Sequence, residues 1–241
     1  MKAVIFDLDG TLVDSAADLQ AAANRLMRQN GLAELDRATV TTFIGNGIAR
    51  LVERCFQHNG VFPGDLPSQI ARFKQYYAEE EHRRTRFMPG AEAALRRLAA
   101  SGLILGLCTN KDTGPTLAIL RRLRAEGLFT AVVGGDSGLA KKPDPAPLLA
   151  CVSSCGAKPE EAVYVGDSET DAQTAGFAKV PFLLFTEGYR LSPCAALRHD
   201  ASFAHFALLS QILAAFSAQK EPARRAPAAV IPFPRPAEKA V

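Results

Sequence analysis

The chain has 241 residues, with 28 Lys+Arg against 25 Asp+Glu and 48% apolar side chains. That composition supports a buried core and excludes wholesale disorder, a collagen-like repeat and a disulfide scaffold, while the length accommodates one large domain or a core with a smaller companion. A formal charge of +3, with no Lys/Arg stripe interleaved with aromatics, gives no ground for nucleic acid as a partner.

Residues 3–6, Ala-Val-Ile-Phe, form a short apolar run ending at Asp7, the pattern of a strand buried on both faces. Similar runs recur at 103–108, 131–133, 162–165 and 181–185, separated by helical patterns at 91–100, 115–126, 146–155 and 170–176. The alternation predicts an α/β fold, a doubly wound parallel sheet of Rossmann-like character with right-handed crossovers. A last helix is expected over 203–216, where Phe203, Phe206, Leu209, Leu213 and Phe216 fall three and four apart. Between residues 15 and 85 the alternation is interrupted by helical patterns at 18–29, 48–57 and 67–82, with no convincing strand. An inserted all-helical cap domain (15–85) is therefore expected in a core of 1–14 and 86–217. Five prolines without helical period predict a disordered Pro-rich tail over 218–241, whose five basic and two acidic residues carry the whole net charge.

Cys55, Cys108, Cys151, Cys155 and Cys194 lack Cys-x-x-Cys spacing and are expected to be reduced thiols of a cytoplasmic protein. Cys151 and Cys155 have no matching His or Cys pair, so they are expected as small buried apolar residues rather than zinc ligands. Neither a signal peptide nor a long apolar run is present, so no membrane is expected as a partner.

The strongest local signal is Asp7-Leu8-Asp9-Gly10-Thr11, directly after the first strand. Residues two apart on an extended segment share a side, so Asp7 and Asp9 address one site while Gly10 permits a sharp bend. Thr109-Asn110, Lys141-Lys142-Pro143 and Asp167-Ser168-Glu169-Thr170-Asp171 follow other predicted strands, and ligands of open parallel sheets bind beyond those ends. One such Asp is readily explained as a helix N-cap, but two carboxylate pairs, a Thr and a Lys on one edge are not. Two carboxylates about 4 Å apart repel by roughly 4 kcal/mol at an effective dielectric of 20, so the cluster requires a cation. Asp7 and Asp167 offer hard oxygen ligands suited to Mg²⁺, and Thr109, backbone amides and a Lys suit a phosphate. The pattern points to metal-assisted phosphoryl transfer on a small phosphorylated substrate.

The motifs at 7–11, Thr109, Lys142 and 166–171 occur in this order and together resemble the haloacid dehalogenase-like hydrolases over residues 1–215. Within that superfamily, 7–15, Phe43-Ile44-Gly45-Asn46-Gly47 and 142–148 resemble phosphoglycolate phosphatases. The resemblance implies a Mg²⁺-dependent phosphomonoester hydrolase that converts 2-phosphoglycolate to glycolate and phosphate. It makes Asp7 the nucleophile, and Asp9 the general acid, then base, with its backbone carbonyl on the metal. Asp7 and Asp167 would be metal ligands, and Asp171 would lie behind them or orient Lys142. Thr109 and the Asn110 amide would bind the phosphoryl group and Lys142 would offset its charge, chosen over Lys141 because the family's lysine directly precedes the proline. Asp9 disfavours dehalogenation, since halide leaves without a proton. Lys74, the sole lysine of 15–85, disfavours a Schiff-base phosphonoacetaldehyde hydrolase.

Other small phosphates (sugar phosphate, nucleotide, pyrophosphate) and a β-phosphoglucomutase-like phosphotransfer stay open as alternatives. A phosphoacceptor receiver module is the non-enzyme alternative, opposed by the Asp7-x-Asp9 spacing and by the helical insert. Substrate choice is expected in the cap: Gly45-Asn46-Gly47 precedes a helix whose free amides suit an anion, with Arg50 or Arg54 adding charge, or else it is a helix-joining turn. The protein is expected to be a monomer or homodimer.

Overall fold

Strand β1 (Ala3–Phe6) is apolar and buried along its whole length, which fits it for the middle of a sheet covered on both faces. The structure, a computed structural model, describes residues 1–220, with backbone alone at 219 and 220. After β1 come β2 (Val13–Asp14), α1 (Ala16–Gln29), α2 (Arg37–Thr41), α3 (Ile48–His58), α4 (Leu66–Glu79), β3 (Arg86–Phe87) and α5 (Ala91–Ala100). The remainder is β4 (Ile104–Cys108), α6 (Thr113–Arg122), β5 (Ala131–Val133), α7 (Ala146–Ser154), β6 (Ala162–Gly166), α8 (Glu169–Ala178), β7 (Phe182–Phe185), β8 (Ala201–Phe203) and α9 (Leu209–Lys220).

Six strands form one parallel sheet in the order β5-β4-β1-β6-β7-β8. Alternate residues serve opposite faces: Val4, Phe6, Val163 and Val165 pack with α5, α6 and α9, whereas Ala3, Ile5, Ala162 and Tyr164 pack with α7 and α8. Cys151 and Cys155 are buried in the second cluster. The chain winds outward through β4 and β5, then crosses back to β6 on the other side of β1, so the reversal falls between β1 and β6. Phe6 lies level with both Leu107 and Val165, which brings the residues after β1, β4 and β6 out at one height.

The helices α1 to α4 enclose a third apolar cluster drawn from residues 19–77, including Leu26, Met27, Phe56, Phe73 and Tyr77. Their entry and exit are joined by an antiparallel pair, Val13↔Phe87 and Asp14↔Arg86. Asp18 is buried beside it, accepting from the Arg84 N–H at 3.1 Å and from the Thr85 N–H and hydroxyl at 2.7 Å each.

Several boundaries differ from the sequence expectation. Helix α4 stops at Glu79 because Glu81 and His82 turn to positive φ, and α6 stops at Arg122 before the left-handed Arg124. Helix α2 was not anticipated; Asp36 caps it by accepting from the Thr39 N–H. The expected helix over 203–216 is instead β8, a short turn and α9. Phe203 and Phe206 stack on Phe185 at centroid distances of 5.5 and 4.8 Å, so their spacing reflects a shared sheet face, not a helical one. Helix α9 runs to Lys220, three residues into the expected tail, and the rest of that tail, 221–241, lies outside the described residues. Among the described residues no helix is long and apolar enough to cross a membrane.

Candidate active site

The Asp7 N–H donates to the Val165 carbonyl at 2.9 Å, fixing the first carboxylate one residue beyond the ladder. The Leu8 carbonyl then accepts from the amides of Thr11, Leu12 and Val13, and the Gly10 N–H donates to Val13, folding the chain sharply back. Gly10 sits at φ +87°, and a Cβ there would fall 2.5 Å from Asp167 Oδ2. Only glycine fits both the turn and the close approach. The turn leaves Asp7 and Asp9 lining one cavity of about 30 Å³ with Thr109, Asn110 and Lys111.

Asp167 follows β6 and takes hydrogen bonds from the Thr11 hydroxyl and the Tyr189 N–H, both at 2.6 Å. Asp171 lies on the first turn of α8, where Ser168 and Asp171 cap one another. Its Oδ1 accepts from Lys142 Nζ and the Tyr164 hydroxyl at 2.7 Å each, and its Oδ2 from Ser168. Lys142 Nζ also stands 2.8 Å from Asp7 Oδ1 as an ion pair, off the hydrogen-bonding direction, so Oδ1 is buried without a hydrogen bond.

These contacts decide the electrostatics. Burial, reinforced by the charge of Asp171 and opposed by Lys142, pushes Asp7 up to about 7. Burial and the charges of Asp171 and Asp7 lift Asp167 well above the usual carboxylate range. Burial opposes ionisation of Asp171 too, but Lys142 and the hydrogen bonds from Ser168 and Tyr164 hold it below that range. Burial likewise opposes the charge on Lys142, yet Asp171 and Asp7 keep its ammonium above the usual lysine range.

Asp7, Asp167 and Asp171 each present an oxygen within 4.8 Å of the others. Against three carboxylates stands one ammonium, Lys142, which leaves two negative charges. A divalent cation matches that residue of charge, and the all-oxygen donor set suits a hard ion. Asp7 Oδ1, ion-paired with Lys142 but without a hydrogen bond, has lone pairs to offer it. Asp171 accepts two hydrogen bonds on Oδ1 and three on Oδ2, whereas Asp167 accepts one on each oxygen, which leaves Asp7 and Asp167 as the better placed pair.

Thr109 and Asn110 follow β4, with the Thr109 N–H held by the Val133 carbonyl at 3.0 Å. The Asn110 side chain accepts from the Lys142 N–H at 2.9 Å and donates to the carbonyls of Lys142 and Gly45 at 3.0 Å each. Gly45 is thus drawn onto the sheet edge, and Asn46 reaches Thr170 at 3.2 Å. Gly47 caps α3 beside Lys141, whose Nζ points toward Asp112 at 3.9 Å rather than into the carboxylate cluster.

The two arginines separate. Arg54 is half-buried, donates to the Phe43 carbonyl at 3.1 Å and lines a neighbouring pocket with Asp9, Asn46 and Asp167. Arg50 is 66% exposed and pairs with Glu53 on its own helix, so the expectation that it serves the site is corrected: α3 turns it to solvent.

Sequence reasoning missed Lys111, Tyr164, Tyr189 and Ser15. Lys111 Nζ lies 2.9 Å from Asp9 Oδ2, and the Ser15 hydroxyl donates to Asp9 Oδ1. The Tyr189 hydroxyl donates to Asp14 at 2.7 Å and accepts from the Ser15 N–H at 3.0 Å. Lys111 carried a signal, its position at the end of a strand; Tyr189, in the loop after β7, carried none.

The haloacid dehalogenase-like hydrolase profile matches residues 4–185. A phosphoglycolate phosphatase from Cereibacter sphaeroides is 44% identical over 216 residues, covering 88% of this chain and 98% of that protein. One from Rhodospirillum rubrum is 43% identical over 218 residues, covering 88% and 90%. A crystal structure from Haemophilus somnus, described as a predicted phosphoglycolate phosphatase, superposes with a TM-score of 0.84 at 31% identity, over 88% of this chain and 98% of that one.

Proposed function

Because the chain belongs to the haloacid dehalogenase-like hydrolases and is a phosphatase, we propose that it hydrolyses 2-phosphoglycolate to glycolate and phosphate with Mg²⁺, through an aspartyl-phosphate. The grouping of Asp7, Asp167 and Asp171 around Lys142, beside a small cavity at the strand ends, carries this reading.

In the proposed reaction an oxygen of Asp7 attacks phosphorus in line, forming the acyl-phosphate bond as the ester oxygen departs. Asp9 gives its proton to that oxygen and then takes one from the water that cleaves the aspartyl-phosphate. Thr109 and the Asn110 amide hold the transferring group, while Lys142 offsets its charge and is itself oriented by Asp171 and Tyr164. Asp7, Asp167 and the Asp9 carbonyl would hold Mg²⁺, which when bound neutralises charge between the carboxylate nucleophile and the anionic phosphate.

Residues 15–85 act in this reading as a cap on a core of 1–14 and 86–217, with Gly45, Asn46 and Gly47 at its contact with that core. The relatives' names favour 2-phosphoglycolate over a sugar phosphate or a nucleotide. The free cysteines are consistent with the cytoplasm.

The test is a screen of purified protein with Mg²⁺ against 2-phosphoglycolate, sugar phosphates, nucleotides and pyrophosphate. Highest kcat/KM for 2-phosphoglycolate, loss of turnover in EDTA and loss in Asp7→Asn are expected. Full activity in either of the last two conditions would refute the mechanism.

A further inference from the structure

Lys111 follows Thr109-Asn110 directly, and its side chain is 4% exposed. Its ammonium contacts both oxygens of Asp9, at 2.9 and 3.1 Å, and lies 4.8 Å from the centroid of the Tyr77 ring on α4. Burial opposes its charge, but Asp9 outweighs that and holds the ammonium above the usual lysine range. Among the described residues it is the one cationic side chain lining the cavity shared by Asp7, Asp9, Thr109 and Asn110.

The other cations near the site are differently placed. Lys142 is taken up by Asp171, Tyr164 and Asp7, Arg50 faces solvent, and Arg54 lines an adjoining pocket that shares Asp7 and Asp9 with this cavity but opens toward Asp167 rather than toward Thr109 and Asn110. We propose that Lys111 is the specificity-determining cation of the site and that it takes the carboxylate of a short phosphorylated acid.

The inference rests on the function proposed above, in which Asp9 addresses the ester oxygen. An ammonium in contact with Asp9 then stands where a group carried two bonds beyond that oxygen arrives. On the side of Asp9 that faces Thr109 and Asn110, a second anion meets no other positive side chain among the described residues, since Arg54 stands on the Asp167 side. Tyr77 restricts the ammonium from the insert side, so α4 and the core loop position it jointly.

The experiment compares 2-phosphoglycolate with 2-hydroxyethyl phosphate, which replaces the carboxylate by a neutral hydroxymethyl group, in wild type, Lys111→Met and Lys111→Arg. The wild type should favour 2-phosphoglycolate at least about tenfold in kcat/KM, a preference that Lys111→Met abolishes through a rise in KM of about 30-fold and that Lys111→Arg partly restores. As a measurement independent of any variant, glycolate should inhibit wild-type hydrolysis of p-nitrophenyl phosphate competitively, and ethylene glycol should not. A preference unchanged in Lys111→Met, or equal losses on both esters, would overturn the role of Lys111 and leave the proposed function standing. A wild type that does not distinguish the two esters would overturn the proposed substrate and this inference with it.

Discussion

The hydroxyl of Thr11, in the turn after β1, donates a 2.6 Å hydrogen bond to Oδ1 of Asp167, in the turn after β6. The bond spans the reversal of the sheet and fixes the orientation of the carboxylate proposed above as a Mg²⁺ ligand. Groups that orient a metal ligand change affinity by roughly 10–100-fold when removed. Thr11→Val, nearly the same shape, is therefore expected to raise the Mg²⁺ concentration for half-maximal activity by about that factor, with an unchanged circular dichroism spectrum. A metal titration superimposable on wild type would refute it.

Lys142 holds three oxygen partners while fully buried, so losing its charge strands Asp7 and Asp171 together. Lys142→Gln should lower kcat by at least about a hundredfold. Tyr164→Phe, which removes the hydrogen bonds to Asp171 and from Lys142 but leaves the ammonium paired with both carboxylates, should cost about a factor of ten or less. Steady-state kinetics on both variants decides the order.

The raised Asp7 sets a pH dependence in the absence of metal. Unfolded, its carboxyl titrates at the ordinary 3.8; folded, at about 7, because of burial and Asp171. Between those values the folded chain holds the extra proton, so stability falls as pH rises from about 4 to about 7, by about 4 kcal/mol at most from this group. In EDTA, Asp7→Asn should melt above wild type at pH 7.5, with the advantage shrinking toward pH 4. Mg²⁺ should raise the wild-type melting temperature more than the variant's. Thermal denaturation with and without metal checks both signs, and an advantage that grows on acidification would contradict them.

Asp18, with no exposure to water, accepts from three donors, the Arg84 N–H and the Thr85 N–H and hydroxyl. Asp18→Ala leaves those backbone donors without a partner and should destabilise the fold by about 2–4 kcal/mol. Urea denaturation would register it as a lower midpoint at unchanged slope.

Arg50→Ala should leave KM for 2-phosphoglycolate within about twofold, since an exposed i,i+3 pair is worth little. Arg54→Ala releases the Phe43 carbonyl beside the Gly45 loop and should raise KM severalfold. Equal effects would mean that α3 is turned differently in solution.

The alternation of apolar runs with helical periods made the sheet and its reversal legible, because each run is local and buried on both faces. Asp7, Thr109 and Asp167 were legible as strand-end residues because parallel register brings such ends to one height. The pairing of Lys111 with Asp9 was not, since it joins residues 102 apart and is covered by Tyr77 from a distant helix. Arg50 and Arg54 were indistinguishable by spacing, as four residues on a helix share a face; only the packing of α3 separates them. The final helix misled because Phe203 and Phe206 obey a helical spacing while serving a strand and a turn.

The two-residue ribbon of β2 and β3 places the departure and return of the helical segment on neighbouring rungs. Directly opposed residues in such a ribbon sit only about 4.5–5.5 Å apart, a gap that a tight turn closes as readily as a long excursion does. The parallel ladder therefore keeps its register whatever is carried between Asp14 and Arg86. Replacing that stretch by one of another length or composition would change what stands over the strand ends while leaving the ladder beneath them in register.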